Sequence, residues 1–333
     1  MTILSRRRLM TTGAAVFAAP LLHRRAAFGQ SDGLAGMAES AAALGQLRSL
    51  VIHRDGACVF ARAFRGPAVD RPANIKSVSK TILGLLTGIA IDRGVITGPD
   101  QRVLPLLDRD PFGDARDSLT VGHLLSMQAG LDSTSGPAYG AWVSSRDWVD
   151  FALTRPLVGR PGGRFIYSTG GWHVLGAALA RAARSDLHQL ARSWLGEPLD
   201  IAVPPWIRDP QGRFMGGNDM AISPVALARI GDMVLAGGQI GGRRVVSRQW
   251  IQTSMQPRAR SPFSGDLYGY GWFLTRHAGQ DAAYARGYGG QMLVVVPGRQ
   301  LAVAITSDPD RPARSEGFFG DLRQLLERIV AAA

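Results

Sequence analysis

The stretch Ile75-Lys76-Ser77-Val78-Ser79-Lys80-Thr81 sets a hydroxyl and an amine three residues apart, Ser77 and Lys80, just ahead of a long apolar run. On a helix, positions i and i+3 share a face. A serine at a helix N-terminus can attack a carbonyl carbon while its own N–H stabilises the developing oxyanion. It needs a base within hydrogen-bond reach. A desolvated lysine can lose its proton near neutral pH, and an arginine cannot. The distinction matters here, because Lys76 and Lys80 are the only lysines in a chain with 38 Lys plus Arg. A chain that otherwise carries its positive charge on arginine has little reason to place lysine at this spacing by accident. Lys76 is less determined: it reads first as a surface residue, with a second charge that depresses the Lys80 pKa or a substrate contact as the alternatives.

Two further stretches supply complementary groups. In GRFIYSTGGWHVLG, Tyr167 follows Pro161-Gly162-Gly163 and precedes a helical pattern. A loop tyrosine beside a lysine can relay protons, and it can equally be an aromatic that only packs. In ARGYGGQMLVVVP, Gly287, Gly289 and Gly290 allow close approach of backbone to backbone or ligand. A strand N–H there could complete an oxyanion hole; the plainer reading is a glycine-rich bend.

Positioning these groups requires elements that the pattern supplies. LRSLVIHRDGACVFARAFRG (47–66) reads as two strands around a turn at Arg54-Asp55-Gly56. The apolar face of Ile82, Leu85, Leu86, Ile89 and Ile91 predicts a helix over 81–92, with Gly94 near its end. SLTVGHLLSMQAGLD predicts a helix after a capping Ser or Thr, ending near Gly130. SRDWVDFAL, GGWHVLGAALARAAR and SPVALARIGDMVLAGG continue the helical text, the last with Pro224 at a first turn. After residue 265 the segments LYGYGWFLT, AAYARG, GQMLVVVP and QLAVAITSD read as strands, and a C-terminal helix closes the chain. The expected class is α+β: an antiparallel sheet built from both chain ends, flanked by helices, with an inserted mainly helical sub-domain. The expected division is a leader at 1–29, a sheet sub-domain from 30–76 and 255–333, and a helical sub-domain at 77–254.

Together the motifs resemble the serine β-lactamase and penicillin-binding-protein superfamily, which has a β-lactamase/transpeptidase-like fold. The closer likeness is to its class C β-lactamase-related branch. That branch includes family VIII esterases, D-aminopeptidase-like peptidases and the 6-aminohexanoate-dimer hydrolase group, toward which the GYGGQ run leans. The likeness runs from about Leu47 to Asp308, in the order Ser-x-x-Lys, Tyr-x-Asn, Lys/His-x-Gly. It extends to LTVGHLLSMQAGLD, PGGRFIYSTGGWHVLG, ISPVALARIGDMVLAGGQIGG and GYGGQMLVVVPGRQLAV. The resemblance implies Ser77 as nucleophile and Lys80 with Tyr167 as the acid/base pair. It implies the N–H groups of Ser77 and Tyr288 as the oxyanion hole. Thr169 stands where the family usually has Asn, and Ala285 where Lys or His is usual. These departures weaken a β-lactamase or D-amino-acid peptidase reading and leave acyl transfer intact. Thr169, Arg286, Gly287 and Trp172 are candidate substrate contacts. Arg286 could restore the missing positive charge, although on a strand it should point away from the face of Ala285. Trp142, Trp148 and Trp172 could line an acyl pocket or pack the helical insert.

The whole chain narrows the remaining choices. Its 333 residues, 46% hydrophobic and 19% charged, describe a globular protein with a sizeable core. The formal charge of +12 is partly local to Arg6, Arg7, Arg8, Arg24 and Arg25. Those arginines surround a short apolar stretch, and the whole resembles a twin-arginine export signal cleaved near Gly29, implying a periplasmic or secreted enzyme. The other arginines are scattered, so nucleic acid is not an expected partner, and no stable membrane span is expected after the signal. The single cysteine, Cys58, excludes a disulfide framework and reads as a small core residue. Six dispersed histidines (His23, His53, His123, His173, His188, His277) offer no metal motif, and no cofactor fingerprint is present. No Gly-x-Ser-x-Gly elbow supports an α/β-hydrolase. The expected function is therefore cleavage of a small ester or short amide through an acyl-enzyme. The alternative from another class is a non-catalytic ligand-binding protein on the same scaffold.

Overall fold

The computed structural model describes residues 32–314 and 317–333. The leader expected at 1–29 lies outside the described residues. After helix α1 (Asp32–Ala43) come strands β1 (Leu47–Arg54) and β2 (Ala57–Ala63). Their turn holds Asp55 at φ 52° and Gly56 at φ 74°, the double left-handed geometry of a tight hairpin. The later strands are β3 (Ala259–Arg260), β4 (Leu267–Tyr268), β5 (Phe273–His277), β6 (Gln280–Gly287), β7 (Gln291–Val296) and β8 (Leu301–Ser307). They form one eight-stranded sheet in the order β2-β1-β8-β7-β6-β5-β4-β3, antiparallel throughout. Both ends of the chain therefore build the sheet, as the alternating text at the two ends implies, and Leu47 pairs with Ser307.

Strands β7 and β8 are buried along their whole length, because helices pack on both faces of the sheet. The covering helices include α6 (Pro224–Leu235) and α7 (Phe318–Ala332). Ser223 caps α6 by accepting from the Ala226 N–H, with Pro224 in the first turn. The close fit of α6 on the sheet depends on Gly231, where a Cβ would stand 2.7 Å from that of Ala302.

Helix α2 (Ser79–Asp92) is the central element. Ser79 through Ala90 are all buried, so the helix is enclosed on every side rather than on one stripe. Gly88 opens the space for Trp250, whose indole Nε1 donates to the Gly84 carbonyl at 3.0 Å. The helical region also contains α3 (Val121–Leu125), α4 (Trp148–Leu153) and α5 (Thr169–Ala182). Helix α3 is shorter than the pattern over 118–132 predicts. Met127 turns left-handed at φ 62°, and its carbonyl accepts the Ile166 N–H at 2.7 Å. A tertiary bond to the Tyr167 segment thus replaces further helical turns. Cys58 also departs from expectation. It is half-buried on the outer strand β2, packed against the margin of the core rather than within it. Among the described residues no helix is long and apolar enough to cross a membrane.

An ion pair fastens α6 to the sheet. His53 Nδ1 on β1 lies 2.6 Å from Asp232 Oδ2. Burial lowers the His53 pKa, but the hydrogen bonds and charge interactions with Asp232 and Cys58 together outweigh it, Asp232 foremost, and the net shift is from 6.5 up to about 9. A raised pKa means stabilisation that is complete below the unfolded value and fades as pH rises through the folded one. Unfolding free energy should therefore fall by about 2 kcal/mol between pH 6.5 and 9 from this pair. Urea midpoints across that range check it: Asp232→Asn should flatten the slope, and an unchanged slope would refute the assignment.

Candidate active site

Ser77 sits in a single 3-10 turn, Lys76–Val78, that runs directly into α2. The turn is held from several directions. Lys76 has φ 48°, unusual for a residue with a Cβ, and its N–H is accepted by Asn74 Oδ1 at 2.8 Å. Ser79 Oγ donates to the Lys76 carbonyl and accepts from the Met220 N–H. The Ile75 N–H donates to the Met220 carbonyl at 2.9 Å.

Lys80 is the second residue of α2, one turn on from Ser77, and only 2% exposed. Its Nζ donates to Ser77 Oγ at 2.9 Å, to the Gly217 carbonyl at 2.8 Å and to Thr169 Oγ1 at 3.3 Å. It lies 5.1 Å from the centre of the Tyr167 ring. Burial drives the Lys80 pKa below the ordinary lysine value, and Tyr167 and Asp219 oppose the shift only in part. The amine is therefore poised to shed its proton more readily than a solvated lysine, at hydrogen-bond distance from a hydroxyl.

Tyr167 precedes the capping residue of α5, Ser168, whose side chain accepts from Gly171 N. The Tyr167 carbonyl accepts from Ser133 Oγ at 2.7 Å, which ties this segment to the loop carrying Ser135. Ser135 Oγ meets Thr169 Oγ1 at 3.0 Å and accepts the Thr169 N–H at 2.9 Å. A threonine at 169 thus remains within the Lys80 network.

The segment Gly216-Gly217-Asn218-Asp219 enters the site without any forewarning in the sequence pattern. Asn218 Oδ1 accepts from Ser77 Oγ at 3.3 Å, and its Nδ2 donates to Tyr139 Oη at 3.2 Å. Burial, helped by Asp219, raises the Tyr139 pKa, against the Asn218 bond, so this phenol stays neutral. Asp219, itself left-handed at φ 59°, accepts from Asn74 Nδ2 at 2.8 Å and pairs with Lys76 Nζ at 3.2 Å. Lys76 is accordingly not the surface residue expected of it: its side chain is 21% exposed and paired in the cleft wall beside Ser77.

Strand β6 approaches from the other side. Gly287 makes the approach possible: a Cβ there would stand 2.5 Å from the Ile75 carbonyl oxygen and 2.9 Å from Lys76 Cβ. Tyr288 follows, 52% exposed, at the rim of the cleft. Gly289 and Gly290 have φ of 79° and 94° and return the chain into β7. Gln291 clamps this bend, donating from Nε2 to the Ser307 carbonyl while its Oε1 accepts the Ser307 N–H. Ala285 is buried, and Arg286 points the opposite way, as alternation requires. It is the arginine's face that meets the cleft. The guanidinium stacks between Phe319, 4.7 Å away, and Phe273, 5.2 Å away. Among the described residues it has no carboxylate partner.

These groups line one cleft of about 660 Å³ that holds Ser77, Tyr167, Thr169, Asn218, Arg286 and Tyr288 together. The volume suits a small molecule. Trp172 is not part of it. It is fully buried beneath Lys80 and Gly217, so the expectation of a substrate contact there is corrected. Trp142 and Trp148 are buried as well, in a separate cluster with Met215, and take the packing role. The described residues hold no group of His, Cys, Asp and Glu suited to a metal ion.

Comparison with known proteins gives a consistent picture. A family model described as Beta-lactamase matches residues 25–318. The 6-aminohexanoate-dimer hydrolase of Paenarthrobacter ureafaciens is 28% identical over 310 residues, covering 82% of this chain and 77% of that protein. A penicillin-binding-protein homologue from Caulobacter crescentus superposes with a TM-score of 0.72 at 18% identity, covering 91% of this chain and 98% of its own. EstCE1, a hydrolase with promiscuous acyltransferase activity, superposes at 0.71 with 20% identity, covering 89% and 98%.

Proposed function

Because the chain belongs to the beta-lactamase family and is a serine hydrolase of that family, we propose that it cleaves an ester or short amide through an acyl-enzyme on Ser77. The observation that carries this reading is the contact between Lys80 Nζ and Ser77 Oγ at 2.9 Å in a site that excludes water from the amine. In the proposed first step Ser77 Oγ bonds to the acyl carbon and its proton passes to Lys80. Lys80 and Tyr167 then deliver a proton to the leaving alcohol or amine as its bond to carbon breaks. The N–H groups of Ser77 and Tyr288 receive the oxyanion. Water, deprotonated by the same pair, releases the acid in the second step. No cofactor is needed for this chemistry.

Thr169 and Ala285 support an ester or short amide over a β-lactam, since the family's usual amide and carboxylate contacts are replaced there. One observation favours the second reading, a β-lactamase or D-amino-acid peptidase. Arg286 presents a guanidinium to the cleft without a carboxylate partner among the described residues, and such a group suits an acidic substrate. A ligand-binding protein without turnover has no use for a desolvated lysine against a serine, so that alternative ranks last. The leader pattern at 1–29 supports action in the periplasm or outside the cell.

Hydrolysis of p-nitrophenyl butyrate and of a chromogenic cephalosporin, by the protein lacking residues 1–29, tests the proposal. Ester turnover should be present and should fall by about 10³-fold or more in Ser77→Ala. Cephalosporin turnover would promote the second reading. Absence of both, with no fluorophosphonate label on Ser77, would leave the binding protein.

A further inference from the structure

A buried imidazole and carboxylate lie behind the site and take no part in the chemistry proposed above. His173, on α5, is fully buried, and the Asp209 side chain is too. His173 Nε2 lies 3.1 Å from Asp209 Oδ2, and the Gly216 N–H donates to His173 Nδ1 at 3.1 Å. A nitrogen that accepts a backbone N–H carries no proton, so the proton is on Nε2 and is donated to Asp209. Burial holds the imidazole pKa below its ordinary value, with Asp209 opposing, so the ring is neutral. Arg213 and Asp147 are the other charges near it. The indoles of Trp148 and Trp142 meet the ring edge-on at 5.5 and 6.0 Å and pack against it.

Asp209 is fixed in turn. Its Oδ1 accepts the N–H groups of Gln211 and Arg213, and its Oδ2 accepts Arg213 Nη1 as well as the imidazole. The single ring therefore ties both ends of the segment 209–216. The next residues are those that touch the proposed machinery: the Gly217 carbonyl holds Lys80, Asn218 holds Ser77 and Asp219 holds Lys76. The segment is pressed against α5 and Lys80 with no room to spare. A Cβ on Gly216 would meet the Trp172 carbonyl at 2.5 Å, and one on Gly217 would meet Lys80 Cγ at 3.0 Å.

We infer that His173 is a positioning residue for Lys80, acting by fixing the 216–219 segment through the Gly216 N–H. The inference rests on Lys80 being the base for Ser77. Its signature is a change in the reactivity of Ser77 that depends on which ring nitrogen is replaced. His173→Asn puts an amide oxygen near the place of Nδ1 and keeps an acceptor for Gly216. His173→Gln puts its polar end near Nε2 and leaves the Gly216 N–H without one.

The experiment measures the rate of fluorophosphonate labelling of Ser77 against pH, with Ser77→Ala as the control. His173→Gln should label about 10- to 100-fold more slowly, the scale set by small misplacement of a catalytic group. Its acid limb should move to higher pH, because a loosened segment admits water to Lys80 and raises its pKa. His173→Asn should stay within about threefold of the wild type. A His173→Gln protein that melts within about 5 °C of the wild type and labels at the wild-type rate and pH overturns the inference while leaving the serine hydrolase reading intact. So does a stable His173→Asn that loses as much as His173→Gln. If His173→Gln does not fold, Asp209→Asn decides. Both oxygens of Asp209 face donors, so its amide nitrogen must oppose one of them; slowed labelling supports the inference and an unchanged rate overturns it. A wild type that takes no label on Ser77 removes the proposed function and this inference with it.

Discussion

Lys80→Arg and Lys80→Met each lose about 10³-fold or more of the ester hydrolysis of the wild type, for opposite reasons. Arginine keeps the positive charge but cannot give up its proton at any working pH. Methionine keeps the length of the stem and the apolar packing but has no base at all. If the charge of Lys80 only oriented Ser77, the arginine variant would keep most activity. If the stem only packed, the methionine variant would. A general base contributes about 10²- to 10⁴-fold, and Ser77 has no other amine within reach in the described site. In the wild type the rate should rise with pH through the lowered Lys80 pKa, since only the neutral amine accepts the Ser77 proton. Steady-state rates on p-nitrophenyl butyrate with both variants make the measurement, and either one within tenfold of the wild type would sink the base assignment.

Gly287→Ala is expected to be nearly as damaging, though it adds only a single methyl. The conformation at Gly287 is not the difficulty: φ is −118° and ψ 160°, open to any residue. The difficulty is the 2.5 Å that would separate the new Cβ from the Ile75 carbonyl oxygen. Ile75 is fully buried and its N–H is committed to Met220, so the Ser77 turn cannot yield without moving Ser77. Strand β6 must move instead, and it carries Tyr288 with it. A shift approaching 1 Å between the two halves of the proposed oxyanion site should cost about 10²-fold in kcat/KM. Overpacking of this kind costs about 1–3 kcal/mol in stability. Gly320→Ala, where nothing lies within 4 Å of the added carbon, is the control. Wild-type activity in a folded Gly287→Ala protein would show that the separation of β6 from the Ser77 turn does not matter.

Residues whose positions depend on local pattern were legible in the sequence. The scarcity of lysine singled out Lys80, and the apolar periodicity after it gave α2, so the contact with Ser77 followed from helical spacing. Alternation near both termini implied the antiparallel sheet, because period-two text survives without knowledge of partners. The contacts that close the site were not legible. Asn218 lies 141 residues from Ser77 and sits in a loop with no periodicity to betray it. Lys76 read as solvated because its partner, Asp219, is 143 residues away. Trp148 and Trp172 are directed inward by α4 and α5, and nothing in the spacing of the tryptophans near Tyr167 distinguishes a pocket wall from a core. Helix α3 stops short for the same kind of reason, a tertiary bond at Met127 that local propensity cannot foresee.

The order of the sheet also has a bearing on how the protein is made. β1 emerges from the ribosome early, yet it lies between β2 and β8, and β8 is synthesised some 250 residues later. At about 5–20 residues per second, the first strand waits roughly 10–50 seconds for its neighbour. Until then one edge of β1 is bare, and the Gln291–Ser307 clamp beneath the Tyr288 bend does not exist. Pairings across such sequence distances are slow to form. Ser77 and Lys80 are thus translated long before the half of the site that would let them work. A nascent chain carries the pair as a serine and an ordinary amine, and the reactivity proposed for them waits until the last strand is laid down.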